Sequence, residues 1–159
     1  MDIRQADLAG SWYPGDAKGC QKLFEEYEKG SKKAEAQPPP ARGGVVPHAG
    51  WAFSGQLAYN VFREIQRSGA KAETVILLGK HMRSSDSPTI LMADQFATPL
   101  GPVTMDKELS EKLAAQHPFT RERGRGHDQE NTIELQVPFV KHLFPQARLV
   151  ALDRKSTRL

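Results

Sequence analysis

Thr74-Val75-Ile76-Leu77-Leu78-Gly79 is the stretch on which the fold turns. It is apolar or β-branched, carries no charge until Lys80, and is too short for a typical helix, so it reads as a strand stopped by a glycine. Because polar residues do not alternate with the apolar ones, it predicts a central strand covered on both faces. Just before it, Gly55 to Gln66 places Leu57, Ala58, Val61, Phe62 and Ile65 at helical spacing. Earlier still, Gly43 to Pro47 carries Val45 and Val46, a β-branched run that predicts a buried strand. Strand, helix and strand in this order predict a parallel crossover.

Working outward, Lys18 to Lys29 has Cys20, Leu23, Phe24 and Tyr27 on one helical face, with Gly30 at the stop. Ser31 to Pro40 ends in three prolines and predicts an extended surface connection. On the other side, Thr89 to Met92 and Leu149 to Leu152 predict strands, and Asp106 to Gln116 a helix capped near Asp106. His127 to Phe144 predicts a helix that Pro138 either kinks or truly begins. The expectation is one α/β domain over residues 1–152, a central mostly parallel sheet flanked by helices, followed by an atypical polar tail from Asp153 to Leu159.

Composition narrows the function classes. Of 159 residues, 26% are charged and 38% hydrophobic, which is ordinary for a globular chain. The net charge of +3 comes partly from Arg154, Lys155 and Arg158. The run Arg121, Arg123 and Arg125 is interrupted by Glu122 and glycines and has no interleaved aromatics, so no nucleic-acid partner is expected. Nothing approaches the roughly 20 apolar residues of a membrane span, so no membrane partner is expected either. A single cysteine, Cys20, and an N-terminus without an apolar signal core predict a reducing, cytoplasmic setting.

Chemistry-bearing residues gather at predicted strand ends, where open α/β sheets build their sites. His48 directly follows the first strand and His81 the second. Neighbouring parallel strands lie about 4.8 Å apart, so two such histidines can share one cation, and neutral imidazole suits iron, copper and zinc. The plainer alternative is that each histidine bonds a loop carbonyl. A third cluster runs from His127 to Gln136, in which Glu130 and Glu134 sit one turn apart. Either carboxylate could orient a ligand histidine or act as a catalytic base; the alternative is helix capping by Asp128 or Asn131 with solvated acids. Trp12 and Tyr13 line a pocket or fill the core. No phosphate-binding or dinucleotide glycine motif, no HExxH and no paired CxxC is present, and Cys20 reads as a packed thiol.

Ala9-Gly-Ser-Trp-Tyr-Pro14, Pro47-His-Ala-Gly-Trp-Ala-Phe-Ser-Gly55, Leu78-Gly79 followed by His81, Thr98-Pro-Leu-Gly101 and Glu130-Asn-Thr-Ile-Glu-Leu-Gln-Val-Pro-Phe139 occur in an order that resembles the Memo family, also called AmmeMemoRadiSam system protein B. The resemblance implies a fold similar to class III extradiol dioxygenases and a site where two histidines, here His48 and His81, and a distant cysteine bind iron or copper. It also implies AMMECR1-like and radical SAM proteins as pathway partners. The family domain continues well past Leu159, which implies that its C-terminal part, with the family cysteine, is missing here; Cys20 does not match that cysteine. Two further departures stand out. The family's Leu-Gly-Pro-x-His is one residue shorter here, and a histidine common within its Glu-His-Ser-Ile-Glu motif is replaced by Asn131. The resulting expectation is a metal-binding protein, a non-haem iron or copper dependent oxidoreductase of unknown substrate. The alternative is a non-catalytic adaptor that binds a peptide or partner protein in the same cleft.

Overall fold

The computed structural model describes residues 1–31, 40–80, 88–125, 127 and 129–154. In chain order the elements are β1 (Ile3–Arg4), α1 (Ala17–Gly30), α2 (Trp51–Arg67), β2 (Thr74–Lys80), β3 (Thr89–Leu91), β4 (Gln95–Phe96), β5 (Val103–Thr104), α3 (Lys107–Gln116), β6 (Thr120–Glu122), α4 (Asn131–Glu134), α5 (Val137–Leu143) and β7 (Arg148–Arg154). They form an α/β fold with two mixed sheets. The larger has the order β2-β7-β3-β6 and the smaller β1-β4-β5.

β7 is the organising strand. It pairs in parallel with β2 from Thr74 opposite Arg148 to Lys80 opposite Arg154, and antiparallel with β3. β3 pairs in parallel with β6. The sheet is therefore mixed rather than mostly parallel throughout. β7 also runs past Leu152, so that Asp153 and Arg154 belong to the strand and not to a polar tail.

Side-chain alternation along β2 explains the packing. Leu77 and Gly79 point to the face covered by α4. Ile76 and Leu78 point the other way and remain 48% and 76% exposed. The expectation of a central strand covered on both faces is thus corrected: β2 is a strand, but it stands at the edge of its sheet with one face bare among the described residues. α3 reaches β3 and β7 on its side of the sheet.

The expected strand over Gly43–Pro47 does not form, and with it goes the crossover to Thr74. Val45 is 94% exposed, and a β-branched pair without a neighbouring strand has no ladder to join. Val46 packs against the core without a strand, and Gly44 lies close to α2, where a side chain would collide with Val61.

The core lies between the larger sheet and α1, α2 and α5 and is aromatic. Phe139 stacks on Trp51 with ring centroids 4.5 Å apart, and Phe24 lies within 6.0 Å of Trp51, Tyr59 and Phe139. The starts of α3 and α5 follow the sequence signals. Asp16 and Asp106 cap α1 and α3 by accepting from Gly19 N and Leu109 N. Pro138 marks the start of α5, where its missing N–H interrupts no intrahelical bond. The segment His127–Phe144 accordingly divides into α4 and α5. α2 begins at Trp51, earlier than the Gly55 start that apolar spacing suggests, because Gly50 O already accepts from Phe53 N and Ser54 N. No helix among the described residues is long and apolar enough to cross a membrane.

Candidate functional site

His48 lies on the loop that leads into α2, and its backbone is held on both sides by the α4–α5 segment. Gln136 Nε2 donates to Pro47 O at 3.1 Å, and Asn131 Nδ2 donates to His48 O at 2.9 Å. The same Asn131 nitrogen lies 3.0 Å from His48 Nδ1. The loop is closed from below by Ser54 Oγ on Ala49 O and by the Trp51 indole N–H on Leu135 O, both at 3.0 Å. His48 is exposed and well fixed.

α4 joins this loop to the carboxyl end of β2. Asn131 holds His48, while the next residue, Thr132, abuts Gly79, where an added side chain would collide with Thr132 Oγ1 and approach Asp153 Oδ1 to 2.9 Å. Gly79 lies two residues before His81, which falls outside the described residues, as does Asp128.

The two glutamates part company. Glu130 caps α4, its carboxylate accepting from Ile133 N at 2.8 Å, from Thr132 N at 2.5 Å and from the Thr132 hydroxyl. It also lines a cavity of about 20 Å³ with Arg4, Glu122 and Asp153, room for one water and for no organic substrate. Capping was foreseen for Asp128 or Asn131; the preceding glutamate performs it. Glu134 is buried and turns to the N-terminal segment, accepting from Leu8 N at 2.7 Å and the Tyr13 hydroxyl at 3.2 Å, with Arg4 Nη2 3.6 Å away. Burial pushes the Glu134 carboxyl above its ordinary range, against the pull of Leu8 N–H and Arg4. Burial, and then the Glu134 charge, raises the Tyr13 phenol as well. Beside them, burial alone would raise Asp7, but His127 and Arg4 hold it below its usual value. The carboxylates thus share a helix but do not converge on one reacting atom.

Trp51 and Tyr13 are core residues. Trp12 is exposed, and Phe53 is 87% exposed. Both border the His48 loop, since a side chain on Gly50 would lie 3.4 Å from Trp12 O and 3.9 Å from the Phe53 ring. Cys20 is buried on α1, and burial pushes its thiol up to about 11, which disfavours the thiolate form. Among the described residues no three His, Cys, Asp or Glu side chains form a group that could hold a metal. His48 alone does not fit a cation; further donors are required.

The sequence reading missed Asn131 and Gln136 as the holders of the His48 loop, because both lie more than 80 residues away in the chain. It also missed buried Asp153, whose signal was its place directly after an apolar strand run.

The family model described as Memo-like protein matches residues 4–153. The chain belongs to the Memo family. MEMO1 family proteins of Thermococcus onnurineus, Sulfolobus acidocaldarius and Methanosarcina acetivorans are similar to it. The first is 33% identical over 151 residues, 92% of this chain and 50% of the relative. The second is 34% identical over 154 residues, covering 91% and 54%, and the third 32% identical over 144 residues, covering 91% and 51%. The chain spans about half the length of these curated Memo relatives.

Proposed function

We propose that this Memo-family chain contributes His48 and His81 to a cation site for iron or copper, and that the protein built around it is a non-haem metal-dependent oxidoreductase. One arrangement supports this reading: the first turn of α4 holds His48 through Asn131 and abuts Gly79 through Thr132, so the His48 loop and the end of β2 meet on one short helix. A bound metal would supply redox and Lewis-acid chemistry. The chain's own residues hold the backbone at Pro47 and His48 and stiffen the loop that carries the imidazole. Glu130 serves by fixing the helix that carries Asn131, and Glu134 by tying that helix to Leu8 and Tyr13. AMMECR1-like and radical SAM proteins are the proposed partners.

The test is anaerobic titration with Fe(II) and Cu(I) of the wild type, His48→Ala and His81→Ala. Uptake by the wild type that falls at least tenfold in affinity in both variants is expected; equal uptake by all three sinks the reading. A second reading, an adaptor that binds a peptide, is favoured by the exposed Trp12 and Phe53 beside the same loop. Capture of either proposed partner that persists unchanged in chelator would support the adaptor instead.

A further inference from the structure

The Asn131 amide nitrogen makes two contacts with one residue, at 2.9 Å from His48 O and 3.0 Å from His48 Nδ1. A backbone carbonyl oxygen only accepts, so the amide atom facing it must be the nitrogen; an amide oxygen there would oppose another oxygen. An NH2 group carries two hydrogens. One goes to the carbonyl and the other points at Nδ1, which must then offer its lone pair.

We infer that Asn131 sets the tautomer of His48, holding Nδ1 unprotonated so that the neutral ring carries its proton on Nε2. In this form the ring is prepared to donate from Nε2 and not to ligate through it. A neutral imidazole that ligates through Nε2 must keep its proton on Nδ1, where it normally donates to a carboxylate, carbonyl or water. Here that proton would meet the Asn131 N–H. Ligation through Nε2 therefore requires the amide to turn and release the His48 carbonyl, so Asn131 opposes metal binding in its present orientation. This consequence rests on the cation reading above; the tautomer itself does not. Aspartate at the same position keeps the size of the side chain, replaces the donor by acceptors, and suits the first turn of a helix.

The experiment is 15N NMR of the metal-free full chain at roughly pH 8.5, where an ordinary imidazole is neutral, with the His48 ring assigned by its loss in His48→Ala. In the wild type Nδ1 is expected to resonate as an unprotonated nitrogen and Nε2 as a protonated one; in Asn131→Asp the proton is expected to move to Nδ1. A merely structural role for Asn131 would leave the proton where it is. A wild-type ring protonated on Nδ1, or an Asn131→Asp ring identical to the wild type, overturns the inference. Titration with Co(II) then reads the consequence: affinity is expected to rise about 10- to 100-fold in Asn131→Asp. Where both forms bind Co(II), a moved proton without any gain in affinity overturns the claim that Asn131 opposes ligation. If no form binds Co(II) while the proton moves as expected, the cation reading fails and the tautomer assignment stands.

Discussion

Phe139 and Leu78 are both large apolar residues, and the fold treats them in opposite ways. Phe139 is buried in the aromatic layer beneath α1 and α2, stacked on Trp51 and packed by Phe24 and Phe62. Leu78 stands exposed on the outer face of β2, beside Ile76. Apolar character decides where a side chain would gain from burial; only a neighbouring element decides whether it is buried.

The contrast can be broken most forcefully from its buried side. Phe139→Ala removes the ring shared by three helices, and a loss of about 3–5 kcal/mol is expected in urea unfolding. Gly79→Ala tests the inner face of β2, because its methyl would meet Thr132, Asp153 and Ile133 at once. A loss of about 1–3 kcal/mol is expected from such overpacking, together with altered amide NMR shifts at His48 and Asn131. Unchanged stability would mean that α4 is not held against β2. Leu78→Thr, one residue earlier and on the opposite face, should change stability by no more than about 0.5 kcal/mol and should reduce self-association in light scattering, since it interrupts the uncharged run from Thr74 to Gly79 of an exposed edge strand. A loss comparable to that of Phe139→Ala would show the outer face to be covered.

The same contrast marks where the sequence was legible. The face of α1 followed from Cys20, Phe24 and Tyr27, the cap of α3 from Asp106 at its boundary, and the start of α5 from Pro138. Each is a local signal with a local cause. β2 was legible as a strand but not as an edge, because an unbroken apolar run records a demand for cover and not its supply. Val45-Val46 failed for the same reason. β1, β4 and β5, two residues each, are too short to display any period and exist through pairing with distant partners. At the candidate site, His48 was visible from its place beside a glycine after an apolar pair. Its orientation was not, because that depends on an amide brought in by α4. Glu130 and Glu134 shared a turn as read, yet the cap drew one and Leu8 and Tyr13 the other.

The central strand β7 imposes an order on assembly. It lies between β2 and β3 but follows both in the chain, so until residues 148–154 have been synthesised β2 lacks its partner strand and β3 has only β6. Helices α1 and α2 can form and dock earlier from nearby residues, whereas Thr74 must wait for Arg148. Sheets closed by such distant pairings fold slowly, since the entropy of loop closure is spent before any ladder bond repays it. Through that interval the uncharged run from Thr74 to Gly79 is bare along both edges. The nascent chain is then most open to misassociation, and a chaperone that shields short extended apolar segments would be needed most.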